Sequence, residues 1–333
     1  IDTCKKYCIV SELEEKILTS RESPIVLLNK KNMNDFQYVA PNSKTLGVML
    51  PYTPLHYMIM KNNFKCIVCT SANISGEPIT YKDNNELYKI SDVVIPHNRE
   101  INMFADDSVC RIVNNKMSII RRARGFVPNA LFVKDTVSDI LSLGAELKNT
   151  FCITSANNYI VSQYIGDIKN VKVFDALKTV IDHFKHLYNC NFKYIACDLH
   201  PNFITTRYAE ELLKINNLKL FRIQHHYAHM CAAMIEHNIQ ERVLGVIFDG
   251  TGYGTDGNIW GGEFLIGDCT GFSRFAHIDY FKLPGGDICT KEIWRLKINQ
   301  DNEIINKMME KNINSPLTSS VGRLFDKVAS TIG

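Results

Sequence analysis

Two rhythms of apolar and polar residues alternate along the chain. Short, wholly apolar or every-second-residue runs predict strands, and apolar residues three and four apart predict helices. In the first part, residues 24–28, 46–50, 66–69, 93–95, 109–113 and 118–121 read as strands. A helix opens after Thr53, which is placed to cap it, with Pro54 at its first position. A linker follows over 132–138, and the second part starts with a hairpin, 150–154 and 159–163, around Ala156-Asn157-Asn158. Phe174, Leu177, Val180, Ile181, Phe184, Leu187 and Tyr188 then recur at helical spacing. Strand 192–197, helix 205–215 and strand 218–223 lead to a helix beginning near His225. Strands at 243–248, 259–266 and 272–278 complete the pattern. Strands interleaved with helices predict an α/β architecture in two domains, 1–134 and 139–333.

The densest chemistry lies where strand 218–223 runs into Gln224-His225-His226-Tyr227-Ala228-His229. His225 and His229 are one helical turn apart, so a helix starting here puts both imidazoles on one face. Alone, such a pair is better explained by two surface histidines near a helix start. The next strand adds Asp249 at its apolar end, followed by Gly250-Thr251-Gly252-Tyr253-Gly254. Two imidazoles and a carboxylate suit zinc or iron, and the glycine loop suits a phosphate.

Other polar clusters are weaker signals. Ser71 and Asn73, between a predicted strand and Gly76, offer uncharged groups for phosphate or carbonyl oxygens, or form an ordinary turn. Arg121, Arg122 and Arg124 could clamp a polyphosphate or form a solvated basic strand end. Asp106 and Asp107 could hold magnesium or face solvent. Lys148 and Asn149 close the Gly144–Asn149 stretch, Gly285-Gly286-Asp287 makes another glycine turn, and Asp326 lies just after Gly322 in a late helix. Several such turns in one domain point to a nucleotide cleft.

Composition narrows the classes. The 333 residues are 45% hydrophobic and 22% charged, with a net charge of +3, which favours a globular protein without a strong nucleic-acid or membrane partner. No apolar run approaches a membrane span, and no signal peptide opens the chain. Eleven cysteines, an odd number, fit free thiols in a cytoplasmic protein better than a disulfide framework. Cys66-Ile67-Val68-Cys69 matches a redox spacing but, read as a buried strand, is structural. The start at Ile1 and the stop at Gly333 read as those of a segment truncated at both ends.

Taken in order, these stretches resemble the HypF carbamoyltransferase family of [NiFe]-hydrogenase maturation. Ser71-Ala72-Asn73-Ile74-Ser75-Gly76-Glu77-Pro78 looks like the signature of a YrdC-like domain. His97-Asn98-Arg99, Asp106-Asp107-Ser108-Val109 and Arg121-Arg122-Ala123-Arg124-Gly125-Phe126-Val127-Pro128 look like the HypF version of that domain. Residues 144–151, 224–229, 249–262, 283–287 and 319–326 resemble the TsaD-type carbamoyltransferase domain. The implied fold is a YrdC-like mixed α/β domain followed by a ribonuclease-H-like, two-lobed domain. The implied activity joins carbamate, derived from carbamoyl phosphate, to ATP with Mg2+, then passes the carbamoyl group from carbamoyl-adenylate to the C-terminal cysteine of HypE. By position, His225, His229 and Asp249 would hold one zinc or iron ion. Ser71 and Asn73, with Arg122 and Arg124, would line the adenylate-forming site. Lys148, Asn149, Gly250, Thr251, Gly252, Gly285, Gly286, Asp287 and Asp326 would hold the nucleotide of the intermediate. The resemblance places the family's acylphosphatase and zinc-finger modules, and the start of its YrdC-like domain, before Ile1, and a further aspartate ligand beyond Gly333. Tyr227 stands where the family often has a third histidine and should not be a ligand. A small-molecule O-carbamoyltransferase reverses the domain order, and tRNA threonylcarbamoylation lacks the DDSV and RRARG stretches. A nucleotide-binding segment without catalysis is the remaining alternative.

Overall fold

A computed structural model describes residues 1–82, 86–133, 138–215 and 217–333. The chain divides into two compact units, Ile1–Lys193 and Tyr194–Gly333.

The first unit opens with helices α1 (Asp2–Tyr7) and α2 (Glu12–Leu18). The entry to α2 is fixed by a capping box: the Ser11 hydroxyl accepts from the Glu14 N–H while the Glu14 carboxylate accepts from the Ser11 N–H. Strands β1 (Ile25–Asn29) and β2 (Thr45–Val48) follow, then helices α3 (Pro54–Met60) and α4 (Leu87–Ile90), and strands β3 (Val109–Val113) and β4 (Lys116–Arg121). They form a sheet in the order β2-β1-β3-β4, with β1 and β3 parallel. Alternate residues of β1, Val26 and Leu28, point inward onto Ile17 and Leu18 of α2 and onto Cys8 and Cys110. Thr53 caps α3 as its sequence predicts, its hydroxyl accepting from the His56 N–H at 3.2 Å.

Strands β5 (Leu131–Phe132), β6 (Ile140–Leu143), β7 (Phe151–Ser155) and β8 (Asn158–Val161) pair antiparallel in the order β5-β8-β7-β6. Helix α5 (Val171–Leu187) buries Val173, Leu177, Val180, Ile181 and Phe184, and Phe184 meets Phe151 of β7 edge-on at 5.2 Å. The hairpin turns at Ala156, whose φ of 50° supplies the left-handed step. Part of the predicted linker, residues 134–137, lies outside the described residues.

Two predicted strands do not form. Residues 66–69 and 93–95 carry no strand, and Cys66, Cys69, Val68, Val93 and Ile95 are exposed. Neither segment pairs with β2 or β4, the edge strands of the sheet. An apolar run shows only that a segment can bury side chains, not that a partner strand is free to take it. The Cys66–Cys69 pair therefore lies in exposed irregular chain, contrary to the buried strand expected. All eleven cysteines are free thiols.

The second unit begins with β9 (Tyr194–Asp198), α6 (Ile204–Ile215) and β10 (Lys219–Ile223). The two strands lie parallel, in register from Tyr194↔Lys219 to Asp198↔Ile223. Helix α7 (His225–Glu236) follows at once, then β11 (Val243–Tyr253), β12 (Ile259–Asp268), β13 (Gly271–His277) and β14 (Phe281–Lys282). Helix α8 (Glu303–Glu310), β15 (Leu317–Thr318) and α9 (Val321–Ile332) complete the unit, and β11, β12, β13, β14 and β15 belong to one sheet. Met230 and Met234 of α7 pack on Ile247, Trp260 and Leu265. A side chain at residue 245 would meet the Met230 sulfur at 2.8 Å, so Gly245 permits this approach. Among the described residues no helix is long and apolar enough to cross a membrane.

Candidate metal centre

Strand β10 stops at Ile223 and Gln224 caps α7, its side-chain oxygen accepting from the Tyr227 N–H at 2.9 Å. His225 and His229 therefore lie one turn apart at the start of the helix and share one face. Opposite them, β11 carries a bulge: pairing with β12 shifts register between Phe248 and Gly252. Bulges re-aim side chains beside functional sites, and Asp249 sits inside this one. Its Oδ1 accepts from the Gly250 N–H at 2.6 Å, while Oδ2 lies 3.2 Å from His225 Nε2 and 3.7 Å from His229 Nε2. The two Nε2 atoms are 3.3 Å apart. One donor atom from each of His225, His229 and Asp249 falls within 4.8 Å of the others. Three nitrogen and oxygen donors on one side, with the exposed His229 leaving the other side open, fit a zinc or iron ion with room for a further ligand.

The carboxylates set the protonation of the cluster, and a metal ion there would displace a proton from His225. Burial works against charge on His225, yet the Asp198 and Asp249 carboxylates together raise its pKa to about 9. Burial, reinforced by the neighbouring His225, holds His226 down to about 4 and lowers His229 as well. Burial pushes the Asp249 pKa up, but the His225 contact and the Gly250 N–H outweigh it, and the carboxyl ends below its ordinary value. Tyr227 points elsewhere, stacked on Phe272 at 4.7 Å with its hydroxyl donating to the Asp268 carbonyl.

Three neighbours escape a reading of spacing. Asp198, at the end of β9, accepts from His225 Nδ1 at 2.8 Å. His226 is fully buried beneath the cluster with Gln224 beside it. Ser320 places its hydroxyl 3.0 Å from the Asp249 carbonyl and 2.8 Å from that of Gly250, tying the start of α9 to the bulge. A signal for Asp198 does exist in the sequence: an aspartate ends the apolar strand preceding the one that feeds the histidines.

The glycine turns are built for close approach. A Cβ on Gly252 would come within 2.4 Å of His226 Cε1 and 3.0 Å of His225 Cβ. Gly252→Ala is therefore expected to destabilise the second unit by about 1–3 kcal/mol through overpacking, read as a lowered unfolding midpoint. Gly250 lies near Gly322, where a Cβ would meet Gly250 Cα at 3.1 Å, and Thr251 is exposed. Gly285 and Gly286 take positive φ of 101° and 61°, and Asp287 beside them is exposed. Asp326 lies 2.8 Å from Arg323 Nη1 in α9.

The candidates in the first unit divide by role. Ser71 is exposed and donates to Asn73 Oδ1 at 2.6 Å, while Asn73 Nδ2 braces the turn through the carbonyls of Ile74 and Glu77. Arg122 donates to the carbonyls of Val161, Phe126 and Asn129. Arg124 donates to Asp107 Oδ1 at 2.6 Å and to the carbonyls of Glu22 and Ser23, with its guanidinium 3.6 Å above the Tyr52 ring. Asp106 lies 3.5 Å from Arg121. Both guanidinium groups thus brace the unit's own backbone. Lys148 adopts a φ of 49° at an exposed position, and Asn149 is buried, donating to the Ala145 carbonyl at 2.6 Å.

Comparison with known proteins identifies the class. Residues 1–123 match the Sua5/YciO/YrdC family, described as telomere recombination. Residues 135–236 match the HypF Kae1-like domain, and residues 245–333 match the second subdomain of the Kae1-like carbamoyltransferase domain. The protein is thus a YrdC-like domain followed by a Kae1-like domain with a His–His–Asp cluster. It belongs to the HypF carbamoyltransferase family. It is 36% identical to carbamoyltransferase HypF2 of Cupriavidus necator over 99% of this chain and 46% of that protein. It is 37% identical to carbamoyltransferase HypF of a Synechocystis species over 97% of this chain and 47% of that one. The crystal structure of full-length HypF in a phosphate- and nucleotide-bound form superposes with a TM-score of 0.90 at 39% identity, covering 99% of this chain and 55% of that one. T. kodakarensis HypF gives 0.88 at 35% identity, covering 99% and 48%. The chain spans about half the length of the curated relatives it matches.

Proposed function

We propose that this chain forms the carbamoyl-activating and carbamoyl-transferring part of a HypF-type enzyme, with the YrdC-like module over 1–134 and the Kae1-like module over 139–333. The reading takes carbamate from carbamoyl phosphate, joins it to ATP with Mg2+ as carbamoyl-adenylate, and transfers the carbamoyl group to the C-terminal cysteine of HypE in the cytoplasm. The observation that carries it is the convergence of His225, His229 and Asp249, residues that lie within the Kae1-like matches.

In the activating module, Ser71 presents an exposed hydroxyl from a turn that the half-buried Asn73 amide braces. Neutral donors there can orient phosphate oxygens without competing for the carbamate nucleophile. The proposal assigns Arg122 and Arg124 to the same adenylate-forming site, each held by backbone carbonyls of its own unit. In the transferring module, His229 offers a neutral nitrogen, His225 a nitrogen whose proton a metal would displace, and Asp249 a charge that favours a divalent zinc or iron ion. Such an ion, when bound, supplies Lewis acidity toward the carbamoyl carbonyl. The proposal seats the nucleotide of the intermediate on Gly250, Thr251, Gly252, Gly285, Gly286, Asp287 and Asp326. Carbamoyl-adenylate is hydrolysed readily in water, so its seat must exclude solvent.

The test is pyrophosphate release from ATP and carbamoyl phosphate by the intact gene product, together with mass spectrometry of a peptide ending in the HypE cysteine. Pyrophosphate release with carbamoylation of the cysteine is the expected result. Nucleotide binding without either signal would reduce the protein to a binding module.

A further inference from the structure

Asp198 and His226, to which no role has so far been given, face the His225–His229–Asp249 cluster from its protein side. We propose that they are positioning residues that hold the neighbouring imidazoles of His225 and His226 in opposite tautomers, the first as a ligand and the second as a support for Asp249. The proposal rests on the metal reading above and adds which atoms prepare the site.

Hydrogen-bond logic fixes each ring. The Asp198 carboxylate is 8% exposed; its Oδ1 accepts from the His200 N–H at 2.8 Å, and its Oδ2 lies 2.8 Å from His225 Nδ1. A carboxylate can only accept here, so a hydrogen stays on His225 Nδ1, and Nε2, 3.2 Å from Asp249 Oδ2, carries the hydrogen that a bound metal displaces. For His226 the chain of reasoning starts at Gln224. Its Oε1 accepts from the Tyr227 N–H, so its other terminal atom is the NH2, which donates to the Tyr253 carbonyl at 3.2 Å and faces His226 Nδ1 at 3.1 Å. An amide NH2 has no acceptor to offer, so His226 Nδ1 accepts and Nε2 carries the hydrogen. That Nε2 is buried, has no hydrogen-bond partner among the described residues, and lies 3.8 Å from Asp249 Oδ2. A fully buried N–H left open toward one carboxylate is a costly arrangement, and its effect is to orient that carboxylate without placing a second positive charge beside a cation. Gly252 makes it possible, since any side chain there would collide with the His226 ring.

Asp198→Asn tests the first half. The asparagine oxygen must stay with the His200 N–H, which turns the amide NH2 toward His225 Nδ1 and drives the hydrogen to Nε2, the ligand atom. Competition titration of the whole chain with Zn2+ is expected to show affinity reduced about 10–100-fold, with the thermal unfolding midpoint little changed. Equal zinc affinity in the variant and the wild type would overturn the role of Asp198. Imidazole 1H–15N correlation spectra test the second half without any metal: His226, identified by its loss in His226→Phe, is expected as the Nε2–H tautomer. An Nδ1–H tautomer would overturn the role of His226. Wild-type protein that binds no zinc, while His226 keeps the expected tautomer, would instead count against the metal reading itself.

Discussion

Replacing His225 by alanine is expected to empty the metal centre, with zinc or iron measured by elemental analysis falling from about one ion per chain to background. His225 Nε2 sits between the other two donors, 3.2 Å from Asp249 Oδ2 and 3.3 Å from His229 Nε2, while those two are 3.7 Å from each other. Without it, one exposed imidazole and one carboxylate remain, too few to retain an ion through gel filtration. Alanine also strips Asp198 of its partner, and a buried carboxylate left short of one hydrogen bond costs about 1–3 kcal/mol. His225→Asn separates the two effects, because its amide can donate to Asp198 from near the Nδ1 position while the ligand nitrogen is gone. This variant should lack metal as completely as the alanine variant yet unfold closer to the wild type. Full metal stoichiometry in either would remove His225 from the site.

The cluster was legible because its members are set by local periodicity. A helix start makes His225 and His229 neighbours, and an apolar strand delivers Asp249 at its end. The YrdC-like and Kae1-like order was legible too, through stretches such as 71–78 and 224–229. What spacing could not supply was the partner of each side chain. Asp198 reaches His225 only because β9 and β10 pair in the register Asp198↔Ile223, a fact about two strands separated by a helix. The opposite orientations of His225 and His226 follow from α7 geometry, but the burial of His226 depends on Gly252, far along the chain. Residues 66–69 failed in the other direction: the run is apolar enough for a buried strand, but it pairs with no strand of the sheet and stays exposed. Arg122 and Arg124 carry the charge expected of phosphate ligands, and their contacts to backbone carbonyls became visible only with the fold.

Glu263→Ala is expected to cost the second unit about 3–5 kcal/mol, a large share of the roughly 5–15 kcal/mol that a domain of ordinary stability possesses. Glu263 is fully buried in β12, with Oε2 accepting from Arg274 Nε at 2.7 Å and Oε1 from the N–H groups of Gly261 and Gly262 and the Ser319 hydroxyl. Arg274 lies 4.0 Å over the Trp260 ring and also contacts Asp256 and Tyr280. Alanine leaves a half-buried cation and two backbone donors without their acceptor, whereas Glu263→Gln keeps one oxygen and should cost less. Both tryptophans of the chain, Trp260 and Trp294, lie in this unit, so their fluorescence in urea follows its unfolding. The pH dependence has a definite sign. Burial raises the Glu263 pKa, but Arg274, Ser319 and the glycine N–H groups outweigh it and leave the carboxyl below its ordinary 4.5. Its stabilisation is therefore complete above about pH 4.5 and fades as pH falls through the lower folded value, a dependence the alanine variant should lack. The loss should also reach the metal centre, because Ser319 adjoins Ser320, whose hydroxyl lies against the carbonyls of Asp249 and Gly250. Weaker zinc binding by Glu263→Gln at a pH and temperature where it remains folded would show that coupling; unchanged binding would confine Glu263 to stability.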